Sequence, residues 1–312
     1  MDSSSADEQS RTWAELPADI TSTILSKVGA IDVLTSAQRV CSSWLGICRD
    51  PAMWRNIDMH NLGDLWDMEH DLEKMCRHAV DRSEGHLLSI NIEYFGTDEL
   101  LEYIARRCFC RSSRLRNLRL VSCYSISDQG FGGAVANFPL LEELDLSYCS
   151  LSKEALEAVG KSCPLLKSLK LNSQGYRYPK IECDEEAIAI AENMHGLRHL
   201  QIFGNKLTNN GLQAILDGCP LLQSLDLRQC FNVSLGGNLE KICTQRIKDL
   251  RRPNDSTDDY EFDPEVQDVC WSSAEDDYPS GISDIELASD EDDYYEFSDN
   301  DYDFDYDYMF ND

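Results

Sequence analysis

The 312-residue sequence predicts an α/β fold: a small N-terminal helical domain, then a short solenoid of strand-helix repeats whose parallel sheet forms the concave face, then a disordered acidic C-terminal tail. Apolar residues follow helical spacing near the N-terminus, one leucine phrase recurs at intervals of 25 to 31 residues, and the last 60 residues contain no Lys or Arg. We therefore expect a disordered N-terminus at 1–11, the helical domain at 12–58, a linker with a capping helix at 59–86, about six repeats at 87–252, and the tail at 253–312.

Within the helical domain, Leu16-Pro17 opens a first helical segment, which has one apolar face made of Ile20, Ile24, Leu25 and Val28. Asp32 is placed to cap a second helix, which Asp50-Pro51 ends. The apolar residues of this second helix are Val33, Ala37, Val40, Cys41, Trp44 and Cys48. A segment of roughly 45 residues buries little core by itself. Its apolar side chains either form an ordinary helical bundle or dock in the groove of a partner.

The same segment resembles the F-box. The resemblance is carried by four elements in order: Leu16-Pro17, the Ile20-x-x-x-Ile24-Leu25 run, Val40-Cys41-x-x-Trp44, and Asp50-Pro51-x-x-Trp54. It departs at Ser42 and Ser43, where a basic residue often follows Val-Cys. The resemblance implies a Skp-type adaptor as the partner, and through it a cullin. It also implies an adaptor contact made by Leu16, Pro17, Ile20, Ile24 and Leu25, with Val40, Trp44 and Trp54 in the packing core or at the junction with the first repeat.

The repeats are defined by the phrase L-x-x-L-x-L. Its copies begin at Leu87 (a degenerate copy), Leu115, Leu141, Leu166, Leu197 and Leu222. Ser127, Ser152 and Thr208 follow the phrase, and their oxygen side chains are typical of helix N-caps. Each unit is therefore a strand, a cap and a helix, and stacked units are needed to bury a continuous leucine core.

The repeat pattern resembles the cysteine-containing class of leucine-rich repeat over roughly 87–250, and with the F-box resemblance it looks like the plant F-box/LRR-repeat proteins over 12–252. Small cysteines recur at equivalent phases and are predicted to be buried: Cys123, Cys149, Cys163, Cys219 and Cys230. At the start of the array, Trp54, Ile57 and Met59 keep the repeat spacing and predict a capping unit. At its end Arg252 breaks the spacing, so we expect the array to fray there.

The 13 cysteines favour a reduced intracellular protein, because the number is odd and no secretory signal pattern is seen. We expect a location in the nucleus and/or cytoplasm, with no membrane partner, since no apolar run has the length of a membrane span. Cys108-Phe-Cys110 and Cys76 near His78 lack a second ligand pair at zinc-like spacing. We therefore expect no metal and no cofactor.

The side chains between the repeat leucines point to the concave face, because successive residues of a strand face opposite ways. They give the substrate-binding candidates Arg119, Asp145, Lys170, Gln201, Phe203, Asp226 and Arg228. The face mixes both charges and has one aromatic residue, Phe203, predicted to be exposed, which favours a protein or peptide ligand over a phosphate-rich one; a plain solvated face is the alternative. The fourth unit has about six extra residues. They offer Tyr176, Arg177, Tyr178 and Lys180 as further contacts, or else form a tolerated loop.

The acidity of the chain belongs to its tail. Residues 253–312 hold 23 Asp and Glu, which leaves 34 acids against 28 bases in the rest. A nearly balanced body argues against nucleic-acid binding. The tail is expected to be disordered, dispensable for folding and electrostatic in any effect, either recruiting a basic partner or shielding cations. Its Asp301, Asp303 and Asp305 lack the Gly and Glu of a calcium loop, and Ser283, Ser289 and Ser298 precede acids as acidophilic kinases prefer.

The sequence shows neither a phosphate-binding G-x-x-x-x-G-K-[ST] loop nor a G-x-S-x-G nucleophile elbow. The family resemblance implies a non-catalytic substrate-recognition subunit of an SCF (Skp-type adaptor, cullin, F-box) ubiquitin ligase. Such a subunit acts by holding a target near the ubiquitin-charged enzyme. The alternative is a leucine-rich-repeat binding scaffold that never joins a ligase.

Overall fold

The computed structural model describes residues 16–61, 63, 70–109, 113–178 and 180–268. Its helices are α1 Ala18–Leu25, α2 Ala30–Thr35, α3 Ser42–Cys48, α4 Leu72–Arg82, α5 Asp98–Phe109, α6 Asp128–Val135, α7 Lys153–Ser162, α8 Glu185–Asn193, α9 Asn209–Gly218 and α10 Gly237–Arg246. Its strands are β1 Asn56–Met59, β2 Ser89–Glu93, β3 Asn117–Val121, β4 Glu143–Ser147, β5 Ser168–Lys170, β6 Gly175–Tyr178, β7 His199–Gln201, β8 Ser224–Asp226, β9 Asp249–Arg251 and β10 Val266–Asp268.

The repeats build one parallel sheet of eight strands in the order β1-β2-β3-β4-β5-β7-β8-β9. The middle leucines of successive phrases pair directly, for example Leu144 with Leu169 and Leu200 with Leu225. The predicted fold class is confirmed, with parallel strands and helices alternating along the chain. The array does not fray where Arg252 suggested, because β9 pairs Leu250 with Leu225 and adds one more strand.

The repeat leucines form the core of the solenoid, since Leu144, Leu169 and Leu225 are all at most 2% exposed. Burying a leucine side chain stabilises the fold by about 1.5–3 kcal/mol, so a regular stack of them is its main source of stability. The side chains between these leucines face the other way. We call that side of the sheet the concave face.

The predicted N-caps are confirmed, and each is held in place by the preceding unit. Ser127 Oγ accepts a hydrogen bond from Gly130 N at 3.0 Å, and Asp98 in turn accepts from Ser127 N and Oγ at 2.8 and 2.6 Å. Asp184 accepts from Thr208 N and Oγ1 in the same way at 2.7 and 2.8 Å. A Cβ on Gly130 would lie 2.0–2.5 Å from the Asp98 carboxylate, so a side chain there would break this link between repeats.

The helical domain differs from its prediction in one respect. Asp32 does not cap a second helix, since it lies inside α2, which begins after Gly29 at φ +92°. The predicted long helix is instead divided into α2, a 3-10 turn at Ala37–Arg39, and α3. Asp50-Pro51 ends the helical run as predicted, and the Asp50 carboxylate accepts from Ala52 N at 2.9 Å to cap a 3-10 turn.

The repeat cysteines are confirmed as buried at Cys123, Cys163, Cys219 and Cys230, while Cys149 is half-buried. Burial raises the pKa of the Cys163 thiol to about 12 and that of Cys219 to about 11, so both stay protonated. Each donates to a carbonyl of the preceding unit, Cys163 to Phe138 O at 3.5 Å and Cys219 to Met194 O at 3.5 Å. These thiols are packing groups of the solenoid.

Among the described side chains, no group of three or more His, Cys, Asp or Glu is placed to share a metal ion. Cys110 and the aspartates at 301, 303 and 305 lie outside the described residues. Within the described part of the chain, no helix combines the length and the apolar character needed to cross a membrane.

Candidate functional site

The chain turns back after β9 and crosses the concave face. We call residues 253–268 the strap. Gln229 binds it at two points. The backbone N of Gln229 donates to Pro253 O at 2.9 Å, and its Nε2 donates to Pro264 O at 2.6 Å. Beyond Pro264, β10 pairs in parallel with β6 of the fourth-unit insertion. The predicted disorder is therefore wrong for residues 253–268, while the rest of the predicted tail, 269–312, lies outside the described residues.

An aromatic cluster fastens the middle of the strap. The ring of Tyr260 stacks on Phe203 with centroids 3.7 Å apart and planes 5° from parallel. Its hydroxyl lies 3.0 Å from that of Tyr148, and the rings of Phe262 and Tyr148 pack edge to face with centroids 5.2 Å apart. Phe203 is left 1% exposed, so its prediction as an exposed aromatic residue on the concave face is wrong. The tail that was expected to be disordered supplies the ring that covers it.

A second contact is ionic. Asp259 accepts from Arg228 Nη1 at 2.6 Å and from Arg251 Nη2 at 2.7 Å. Partial desolvation raises the pKa of Asp259, but the hydrogen bond and charge of Arg228, with the charge of Arg251, outweigh it and hold the pKa below its usual range. Arg228 is only 4% exposed, and Asp226 holds it from beneath at 2.8 Å. The guanidinium of Arg228 thus joins the sheet to the strap.

Glu261 makes a third contact, with Arg119 at 2.5 Å and Lys170 at 3.7 Å. The same two cations lie 3.8 and 3.5 Å from Asp145. Burial raises the pKa of Asp145, although a hydrogen bond from Ser147 and the charges of Lys170 and Arg119 act in the opposite direction. Arg119 also lies 3.7 Å from Glu93, so the two cations lie between carboxylates of the sheet and the Glu261 carboxylate of the strap.

The predicted substrate-binding residues therefore come together, but most of them are occupied. Arg119, Lys170, Phe203 and Arg228 contact the strap, Asp145 and Asp226 are buried, and Gln201 is half-buried in β7. The insertion residues Tyr176, Arg177 and Tyr178 lie in β6, the strand that pairs with the strap. Lys180 is exposed just beyond that strand.

Sequence reasoning missed the residues that complete this cluster, namely Tyr148, Arg251, Asp259, Tyr260, Glu261 and Phe262. The signal was present as an Asp-Tyr-Glu-Phe run directly after the last repeat. Composition alone assigned this run to a solvated tail, because it cannot show that a matching set of cations and rings lies opposite.

Beside the strap, the first strands of the sheet leave an open groove of about 410 Å³. Its walls are mostly polar, with Asn91, Asn117 and Glu143 among the side chains that line it. Arg119, Asp145 and Lys170 line both the groove and the strap contact, so the two are continuous. The concave face therefore has one covered half and one open half.

The helical domain presents exposed apolar side chains, with Ile20 at 46%, Val28 at 41% and Val40 at 58%. Pro17 is exposed, and Leu16 and Ile24 are half-buried. The adaptor contact predicted for Leu25 is corrected, since Leu25 is 1% exposed and packs in the core.

Three residues were predicted for the packing core or its junction with the first repeat. Val40 is on the surface, so that prediction is wrong for it. Trp54 is confirmed in the core, where its Nε1 donates to Cys48 O at 2.7 Å. Trp44 is half-buried and packs against the core.

The fold is that of a leucine-rich-repeat solenoid with a helical domain at its N-terminal end, and that domain has exposed apolar side chains. Family models agree with each part: an F-box-like model matches residues 13–60, a model of the leucine-rich repeats of the FBD-associated F-box protein At5g56370 matches 95–185, and a leucine-rich-repeat model matches 193–216. These models describe an F-box and repeats and no catalytic domain.

Relatives match over nearly the whole chain. F-box protein SKIP19 of Arabidopsis thaliana is 53% identical over 291 residues, which cover 93% of this chain and 90% of that protein. F-box/LRR-repeat protein 23 of the same plant is 55% identical over 81% of this chain and 56% of its own length, and F-box protein SKIP1 is 30% identical over 80% and 89%. The chain belongs to the family of F-box/LRR-repeat proteins.

Proposed function

We propose that the protein is the substrate-recognition subunit of an SCF ubiquitin ligase. The observation that carries this proposal is the exposure of Ile20, Val28 and Val40 in the segment that matches the F-box-like model. Exposed apolar side chains in such a segment can dock in the groove of a partner protein. A Skp-type adaptor, joined to a cullin, is the partner that the family membership supports.

In this role the protein needs no catalytic residue. The helical domain holds the adaptor, and the repeat face holds a target protein, so that the target stays close to a ubiquitin-charged enzyme. Tethering raises the effective concentration of the two reactants to the millimolar range for short flexible links. Modification by ubiquitin would lead to proteasomal degradation of the target, and the site of action would be the nucleus and/or cytoplasm.

A repeat scaffold outside any ligase is the second candidate, and adaptor binding through Ile20, which is 46% exposed on α1, separates the two. The test measures binding of the full chain to a purified Skp-type adaptor. Ile20→Asp places a charge in the proposed contact, and we expect it to weaken adaptor binding by at least about tenfold, or ~1.4 kcal/mol. Ile188→Asp is the matched control, because Ile188 is 43% exposed on repeat helix α8.

Circular dichroism and urea unfolding should show both variants folded with similar stability. Equal adaptor affinity for the wild type, Ile20→Asp and Ile188→Asp would contradict the contact at Ile20. Absence of adaptor binding by the wild type would contradict the ligase role. It would leave the scaffold function as the better account.

A further inference from the structure

We propose that the concave face is a recognition site for a protein segment of sequence Asp-Tyr-(Asp or Glu)-Phe, and that the strap fills it as a built-in competitor. The ligand is a target protein bearing such a segment. This inference rests on one part of the proposed function, namely that the concave face binds the target protein.

The first support is that every residue of the occupying segment has its own partner on the sheet. Asp259 binds Arg228 and Arg251, Tyr260 stacks on Phe203, Glu261 binds Arg119 and Lys170, and Phe262 meets the Tyr148 ring. In addition, the Arg119 guanidinium lies 5.6 Å from the centre of the Phe262 ring. The four consecutive side chains are thus recognised in turn by cations, an aromatic ring, cations and an aromatic ring.

The second support is the chemistry of the face beneath. If the strap were lifted, two rings, Phe203 and Tyr148, would be uncovered together with four cations that contact the strap. These cations are Arg228 and Arg251, which bind Asp259, and Arg119 and Lys170, which bind Glu261. A surface of this kind favours acidic residues that alternate with aromatic ones, and it disfavours basic segments, which the four cations would repel.

The third support is the way in which the strap is attached. Its backbone is fixed at the ends, through Gln229 and the short β10–β6 pairing. Between residues 257 and 263, the sheet contacts that the structure describes run through side chains, and both Asp259 and Glu261 are exposed to solvent. A target with the same four side chains could therefore replace the strap without disturbing the leucine core.

The fourth support comes from the sequence. The pattern Asp259-Tyr-Glu-Phe-Asp263 returns as Asp301-Tyr-Asp-Phe-Asp305. The second copy lies outside the described residues, but it supplies a natural variant of the motif in which Asp replaces Glu at the third position. A recognition motif tolerates such a change, because either carboxylate can pair with Arg119 and Lys170.

The test uses the full chain and a fluorescent nine-residue peptide with the sequence of residues 256–264, STDDYEFDP. In the wild type, the tethered strap competes at a high effective concentration, so the peptide should bind poorly. The variant Tyr260→Ala with Phe262→Ala removes the strap's two rings but leaves the sheet intact. We expect the peptide to bind this variant at least about tenfold more tightly than it binds the wild type.

Three controls identify the site. A scrambled peptide of the same composition should not bind. In the strap variant, Lys170→Ala should weaken binding several-fold, whereas Lys167→Ala should not, because Lys167 pairs with Glu142 and does not contact the strap. A peptide of residues 299–307 should compete with the first one. Asp259→Asn with Glu261→Gln is a second way to loosen the strap, should the double alanine variant fail to fold.

The proposal is overturned if the peptide binds the wild type and the strap variants equally, if the scrambled peptide binds as well, or if Lys170→Ala has no effect. If the strap variant self-associates and the 256–264 peptide dissociates that assembly, the result would support the proposal. The occupant of the concave face would then be a second copy of the chain. Adaptor binding by the same variant is measured in parallel. If peptide recognition is lost while adaptor binding is intact, only this inference is refuted. If adaptor binding is lost while peptide recognition is intact, only the ligase role is refuted.

Discussion

Replacing Tyr260 with alanine tests how the strap is held. The change removes the stacked pair with Phe203, and aromatic pairs contribute about 0.5–1.5 kcal/mol beyond the area they bury. It also removes the hydrogen bond between the hydroxyls of Tyr260 and Tyr148, which contributes about 0.5–1.5 kcal/mol. The strap should therefore lose about 1–3 kcal/mol of its attachment, which corresponds to an opening equilibrium shifted roughly 5- to 150-fold.

This cost should appear locally before it appears globally. The strap can detach while the leucine core stays packed, because segments with few buried contacts open at lower free energy than the core. Amide hydrogen exchange in residues 256–264 should therefore accelerate in Tyr260→Ala, while exchange in the central strands stays slow. Global unfolding in urea should shift by no more than the free energy that binds the strap to the sheet.

Two further variants test whether the stacked ring of Tyr260 holds the strap. Tyr260→Phe keeps the ring and loses only the hydroxyl, so it should show about half the effect or less. Tyr124→Ala is the control, since Tyr124 is 65% exposed on the repeats and its loss should change stability by at most about 0.5 kcal/mol. Unchanged exchange in Tyr260→Ala, or an equal effect from Tyr124→Ala, would refute the claim that this stacking holds the strap.

Three other predictions concern the solenoid. Leu144→Ala should cost about 2–5 kcal/mol in urea unfolding, and Glu143→Ala, one position away but exposed, about 0.5 or less; equal losses would contradict the inward and outward assignment. Gly204→Ala should destabilise by about 1–3 kcal/mol, because Gly204 has φ +69° and a Cβ there would lie 2.1 Å from a backbone carbonyl oxygen; a neutral change would refute this. At pH 8, iodoacetamide should modify exposed Cys183 before buried Cys163, whose pKa is about 12, as peptide mass spectrometry would show.

The repeats could be predicted closely from the sequence because every unit must bury its leucines and begin its helix in the same way. A strand leucine, a cap and a helix must recur in register, so six weak signals add up to one strong signal. The N-cap at Ser127 could also be predicted, because its hydroxyl accepts a hydrogen bond from Gly130 N in the first turn of the same helix. The aspartate that holds this cap lies 29 residues earlier in the chain, and no local pattern marked its role.

The helical domain was predicted less well, because apolar spacing cannot say which residues of an apolar stripe reach the core. Leu25 and Ile20 fall on the same predicted face, yet one is 1% and the other 46% exposed. Burial there depends on how α1 packs against α3 and on the contact of Ser22 with Met53 in the turn before β1. That packing is a tertiary property, and it decides which side chains remain free for a partner.

The strap was missed for a related reason, since charge counts treat residues 253–312 as one block. In charge, the strap resembles residues 269–312, with 7 Asp and Glu in 16 residues against 16 in 44. What distinguishes it is the surface opposite, where four cations and two rings lie within reach of the chain immediately after β9. Those four cations come from four different strands or strand ends, so they are far apart in sequence and invisible to any local count. An acidic tail beside a balanced body therefore says little about disorder until the positions of the few cations are known, and here those positions give the acids and aromatic rings a site on the protein's own binding face.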